Sequence, residues 1–174
     1  MNNRIILLII LALFCTGPLQ AQTFNILDYG AVKDTGTLST IAINKAVEAC
    51  YQAGGGRVLV PYGHYRSGTI VLKDNVTLYL DRGAILYAST SHQDFPRRQQ
   101  PAYRSQKDPG GWYALIYAEG ATNIGIGGKG PLDGQSDRQM PRAGLPAGDM
   151  DGRPRNILFI SCKKITVTGI TMMN

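Results

Sequence analysis

The sequence predicts an all-β fold, a solenoid of short parallel strands closed at its N-terminal end by a single helix. Three observations predict it. One amphipathic helix pattern, residues 39–53, stands near the start, and no second helix of any length follows. From Arg57 onward the apolar residues fall in short runs separated by Gly, Asn and Asp: RVLVP, GTIVL, NVTLYL, ALIYA, NIGIGG, NILFIS and KITVTGIT. These runs also resemble one another, since Val76, Leu78 and Leu80 alternate with Thr77 and Tyr79 as Ile124 and Ile126 do with glycines and Ile165 and Val167 do with threonines.

The elements follow in order. Arg4 precedes ten apolar residues, Ile5 to Phe14, and a short segment ending Leu-Gln-Ala21, which predicts a secretory signal peptide over 1–21. Ten residues are too few for a membrane span, which takes about 20. The expectation is therefore an exported, periplasmic or extracellular protein whose single domain occupies 22–174. In the helix, Ile43, Ala46, Val47 and Cys50 share one face, with Asn44, Lys45 and Glu48 opposite. Thr37 or Ser39 is placed to cap its start and Gly54 its end. Three glycines, Gly54 to Gly56, then lead into Arg57-Val-Leu-Val-Pro61. A phosphate loop needs glycines between a strand and a following helix, whereas these follow a helix and precede a strand. They predict a corner.

A parallel solenoid exposes its interior and a row of unpaired backbone groups at its open end, so a cap is needed, and the helix is placed to be that cap. Asn75 and Asn123 stand just before their strands, where a left-handed corner favours asparagine. The matching strand starts lie 48 and 41 residues apart. At about 20 to 25 residues per coil, that spacing predicts two turns in each interval. Two long segments, 89–112 and 135–155, are polar and rich in Pro and Gly and are expected to be loops with a functional role.

The 18 Lys and Arg against 12 Asp and Glu give a net charge of +6 without a block of like charges, which argues against a nucleic-acid arm and suits an acidic polymer or an ordinary surface. After residue 21 only Cys50 and Cys162 remain, which excludes a disulfide framework and a four-cysteine zinc site. Two buried thiols or one bridge between them stay open.

The segments FNILDYG, AGGGRVLVPYGHY, GTIVLKDNVTLYLDRGAILYAS, DFP, ALIYAEGATNIGIGGKGPLDGQ and RPRNILFISCKKITVTGITMMN resemble the N-terminal half of glycoside hydrolase family 28, the polygalacturonase-like, pectin-degrading enzymes. The resemblance covers essentially all of 24–174. Its opening part is shared with pectate-lyase-like proteins in general; GGKGPLDGQ and RPRNILFISCKK point more narrowly to the hydrolases. It implies a right-handed parallel β-helix, a pectic or other uronate-containing polysaccharide as partner, and no cofactor. Pro131 and Leu132 depart from the family's Thr and Ile. The family's catalytic aspartates belong to motifs that follow the position of Asn174, so none is assigned, and the chain is expected to be a truncated, inactive portion of a glycosidase. The rival expectations are a β-helical lyase or epimerase on uronate polymers, or a non-catalytic carbohydrate-binding β-helix.

Inverting hydrolysis of a glycosidic bond needs an acid and a base about 6.5–9.5 Å apart. Asp149 and Asp151 form the one close acidic pair in the second long segment, and read as solvated loop residues and not as catalytic or calcium-binding groups. Asp133 reads as a turn residue. His64 follows Gly63 at a tight corner and His92 sits in a loop, neither at a catalytic spacing from a partner. For binding, Arg97, Arg98, Arg104 and Trp112 in the first long segment and Arg153 in the second suit a uronate, because a guanidinium pairs with a carboxylate and an aromatic face stacks on a sugar. Tyr113 and Arg155 adjoin them.

Overall fold

The computed structural model describes residues 22–96, 113–138 and 154–174. Twelve strands among these residues coil into a three-sided parallel β-helix. Strand β1 (Thr23–Asn25) leads into a short 3-10 turn (Ile26–Tyr29), and helix α1 (Thr40–Gln52) follows. Each subsequent turn then supplies one strand to each face. The first turn contains β2 (Gly56–Val60), β3 (Gly63–Ser67) and β4 (Ile70–Val71); the second, β5 (Val76–Leu80), β6 (Ala84–Ala88) and β7 (Ala114–Glu119). The third contains β8 (Thr122–Gly128), β9 (Pro131–Asp133) and β10 (Arg155–Ile160), and β11 (Lys163–Val167) and β12 (Thr171–Met173) continue the coil. The three sheets run β1-β2-β5-β8-β11, β12-β9-β6-β3 and β10-β7-β4, with all pairings parallel.

The register stacks like on like through the interior. Phe24, Val58, Leu78, Ile126 and Val167 form one column, Tyr65, Leu86, Leu132 and Met172 a second, and Ile70, Ile116 and Ile157 a third. Because side chains alternate across a strand, each turn sends every second residue into these columns and the others outward. The inner members from Val58 to Ile126 are buried, while Val167 and Met172 are 43% and 57% exposed, so the columns are open at the β11–β12 side.

At the other end α1 closes the coil as expected. Its Ala42, Ile43, Ala46, Val47 and Cys50 are buried against the first turn. The helix ends in a Schellman arrangement: Gly54 N–H donates to Tyr51 O (2.9 Å) and Gly55 N–H to Cys50 O (2.9 Å). Ser39 stands at the start but its hydroxyl makes no capping bond. Asn44 departs from the solvated face read from the sequence, since its side-chain amide donates to Thr40 O and Thr69 O and accepts from Val71 N–H, bracing α1 to β4.

The glycine triplet is a corner. Gly55 has φ +118° and a Cβ there would lie 2.4 Å from Asn75 Cβ; Gly56 has φ +144° and would meet Gln22 O at 2.4 Å. Only glycine fits both the backbone and the space. Asn75 (φ 61°) and Asn123 (φ 58°) occupy the equivalent corner in the next two turns, and Asn123 Nδ2 donates to Asn75 Oδ1 (2.9 Å). Lys164 (φ 54°), the second residue of β11, takes the same place in the following turn.

The expected turn count is corrected. Strand β5 pairs directly with β8, and β8 with β11, so the intervals of 48 and 41 residues are each one turn. The compact turn from β2 to β5 takes 20 residues. The extra length in the next two turns lies between β6 and β7 and between β9 and β10, where the two long polar segments leave the coil at the same corner. Nearly all of one face also went unread in the sequence: β3, β6 and β9 are separate strands. A three-residue corner, Asp81 to Gly83, hides the break between β5 and β6, and β3 sends Gly63, Tyr65 and Ser67 inward with no aliphatic signal. Cys50 and Cys162 are free thiols, the first buried and the second half-buried.

Candidate functional site

The outward residues of the β12-β9-β6-β3 face build a polar groove of about 650 Å³. The ladder register places Arg66 of β3 opposite Tyr87 of β6, and Tyr87 opposite Asp133 of β9. His64, one outward position before Arg66, turns its ring toward Tyr87 with centroids 5.8 Å apart and planes at 57°. Thr35, from the segment before α1, completes one side. Thr90, Gln135, Asp137 and Arg138 complete another, at the bases of the two long segments, and Asn174 borders the groove after β12. Parallel rungs are about 4.8 Å apart, so the face presents one outward group per turn at a spacing comparable with a pyranose unit.

The groove's charges are not alike in their surroundings. Asp133 Oδ1 accepts from Gln135 N–H (2.9 Å) and from Asn174 Nδ2 (3.2 Å), which makes it the turn residue expected from the sequence. Gln135, in turn, is held at φ 49° and donates through Nε2 to Ala88 O, tying the bases of the two long segments together. Asp137 lies 4.0 Å from Arg138, both well exposed. Among the described residues Arg66 has no carboxylate within ion-pair distance; Nη2 donates to Gly36 O (2.9 Å), and Nε is buried with no acceptor. His64, read from the sequence as a corner residue, is an exposed strand residue on the groove wall.

Of the residues expected to bind substrate, Arg97, Arg98, Arg104, Trp112 and Arg153 lie outside the described residues, as do the Asp149 and Asp151 pair and the 1–21 segment. Tyr113 is buried and meets the His92 ring edge-on at 4.2 Å, so it is a packing residue. Arg155 begins β10, on a different face. Sequence reasoning missed Arg66 and Tyr87 because they belong to the unread strands. The available signal was alternation in GHYRS and AILYA, which places His64, Arg66, Ile85 and Tyr87 on one side.

A second hollow, about 320 Å³, is lined by Tyr51, Lys73, Tyr117 and Glu119 among others. Its polar groups satisfy one another: Lys73 pairs with Glu48 and lies 5.0 Å from the Tyr51 ring centre, and the Tyr117 hydroxyl donates to Glu119. Hydrogen bonds from Gln52 and then Lys73 hold the Glu48 carboxyl below its ordinary pKa. No cluster of three or more His, Cys, Asp or Glu suited to a metal occurs among the described residues, and no described helix is long and apolar enough to cross a membrane.

The family profile described as rhamnogalacturonase A/epimerase, pectate lyase-like matches residues 23–113, more than half of the chain. The chain belongs to this family. Relatives and solved structures named as polygalacturonases support a relationship to glycoside hydrolase family 28. An exo-poly-alpha-D-galacturonosidase of Dickeya chrysanthemi is 38% identical over 119 residues, covering 65% of this chain and 19% of that protein. A Vitis vinifera protein named a probable polygalacturonase is 29% identical over 163 residues, 89% of this chain and 33% of its own length. Among solved structures, the family 28 exopolygalacturonase of Yersinia enterocolitica superposes with a TM-score of 0.68 at 25% identity, over 88% of this chain and 35% of that one. The chain thus spans about a third or less of the curated relatives it matches.

Proposed function

We propose that this chain forms the cap and first turns of an exported glycosidase that hydrolyses galacturonosyl linkages in pectic polysaccharide. The observation that carries the reading is the groove on the β3-β6-β9-β12 face, with an unneutralised Arg66 in its wall, in a chain related to galacturonan-cleaving enzymes. A cation with no carboxylate partner among the described residues suits a polymer that carries a carboxylate on each sugar.

The chemistry such an enzyme uses is an inverting displacement by a general acid and a general base about 6.5–9.5 Å apart, with water between the base and the sugar. The reading assigns Asp133 to neither role, because its carboxylate is committed to the turn and to Asn174. Arg97, Arg98, Arg104, Trp112 and Arg153 are proposed as further substrate contacts, since their segments leave the groove face after β6 and β9. Residues 1–21 are proposed as the export signal.

The second reading, a lyase or epimerase on uronate polymers, is favoured by the family's own description, which joins hydrolase, epimerase and pectate-lyase-like members. One assay separates the two. The protein as its host produces it, given polygalacturonate, should release saturated reducing ends. An unsaturated product absorbing in the ultraviolet, or sugar inverted at C5 without chain cleavage, would establish the second reading instead.

A further inference from the structure

We propose that Arg66 is the charge reader of a sugar subsite in the groove, taking the carboxylate of one uronate while Tyr87 and His64 line the ring's path along the face. The proposal names the substrate contact of the groove described above and so rests on the pectic reading.

Three observations carry it. The Arg66 side chain is half-buried and fixed at one edge by its bond to Gly36 O, so the guanidinium is positioned before any ligand arrives. That pre-organisation lowers the entropy lost on binding. Among the described residues its Nε has no acceptor and no carboxylate lies within ion-pair distance, so the guanidinium charge is left unneutralised. The groove's two carboxylates do not relieve it: Asp133 is held by Gln135 N–H and Asn174, and Asp137 stands beside Arg138. An anionic ligand that reaches the guanidinium gains a charge-assisted bond with no competing internal partner to displace.

The neighbours fit a sugar and not a bare anion. Tyr87 is directly across the ladder from Arg66, one rung along the axis, with His64 tilted against its ring. A pyranose lying along the face would set its ring against Tyr87 while its carboxylate reaches Arg66. A methyl-esterified uronate would keep the first contact and lose the second, so the site distinguishes acidic from esterified sugar.

The test is calorimetric titration of the full chain with trigalacturonate and with its fully methyl-esterified form, for the wild type, Arg66→Gln, Arg66→Lys and Tyr87→Ala. The wild type should prefer the acid. Arg66→Gln should weaken acid binding by about ten- to hundredfold, the size of one charge-assisted hydrogen bond, and leave the ester unchanged. Arg66→Lys should restore part of the preference, and Tyr87→Ala should weaken both probes alike. Matching urea midpoints for Arg66→Gln and wild type would exclude a folding effect from loss of the Gly36 tether. Wild-type binding whose acid-to-ester preference survives Arg66→Gln would overturn the assignment and leave the pectic reading standing. A wild type that binds neither probe would overturn both.

Discussion

Replacing Val47 with Asp tests whether α1 is a true cap. Val47 is 1% exposed and lies on the helix stripe that closes the first turn. Val47→Ala removes two methyl-sized groups, worth about 1.6 kcal/mol at ~0.8 kcal/mol per methylene, and roughly 2–3 kcal/mol once the cavity is included. Val47→Asp loses the same packing and adds a carboxylate to a buried apolar stripe, while Lys73 is engaged by Glu48. An unpaired buried carboxylate costs several kcal/mol more at neutral pH. Against a total stability of about 5–15 kcal/mol, the Asp variant should lose half or more. Urea unfolding of the full chain, followed by circular dichroism, reads both changes. The Asp midpoint should fall well below the Ala midpoint at pH 7 and recover part of the gap at pH 4, where the introduced acid is protonated. Equal midpoints for the two variants at pH 7 would mean that α1 does not seal the core.

Three further outcomes follow from the same geometry. Lys164→Asn should stabilise by about 1 kcal/mol, because lysine is strained at φ 54° where asparagine is tolerated, and the new amide would continue the Asn75–Asn123 ladder; an unchanged urea midpoint would refute it. Burial pushes the Cys50 thiol up to about 11, so in the native protein a thiol reagent should label Cys162 first and reach Cys50 only on unfolding; equal labelling rates would contradict the packing. Glu48 has its carboxyl depressed by Gln52 and Lys73, so its small contribution is present above the ordinary carboxylate value of 4.5 and is lost as pH falls through the lower folded value. The wild-type and Glu48→Gln stability curves should therefore differ slightly at pH 6 and converge below pH 4, and a gap that widens in acid would reverse that sign.

Much of the fold was legible because its signals are local. The α1 stripe, the glycine corner after it and the corner asparagines Asn75 and Asn123 each follow from one residue type meeting one backbone requirement. The turn count was not legible, because an insertion adds residues without adding a rung and the repeat spacing carries no mark of where the extra length sits. The role of Asn44 was hidden for a related reason: a polar residue opposite an apolar stripe reads as solvated unless the partner strand is known. The groove was the least legible part. Arg66 and Tyr87 are separated by 21 positions in sequence and become neighbours only through the parallel register, while the cations that sequence composition singled out lie in the long segments.

The function proposed for this coil and its groove is the hydrolysis of an acidic galacturonan. Proton magnetic resonance of polygalacturonate during its first minutes with the host-produced protein tests this most directly. An inverting hydrolase acting on α linkages should yield the β anomer at the new reducing end before mutarotation. Olefinic signals from an unsaturated uronate, or a polymer whose sugars change configuration without new chain ends, would contradict the claim.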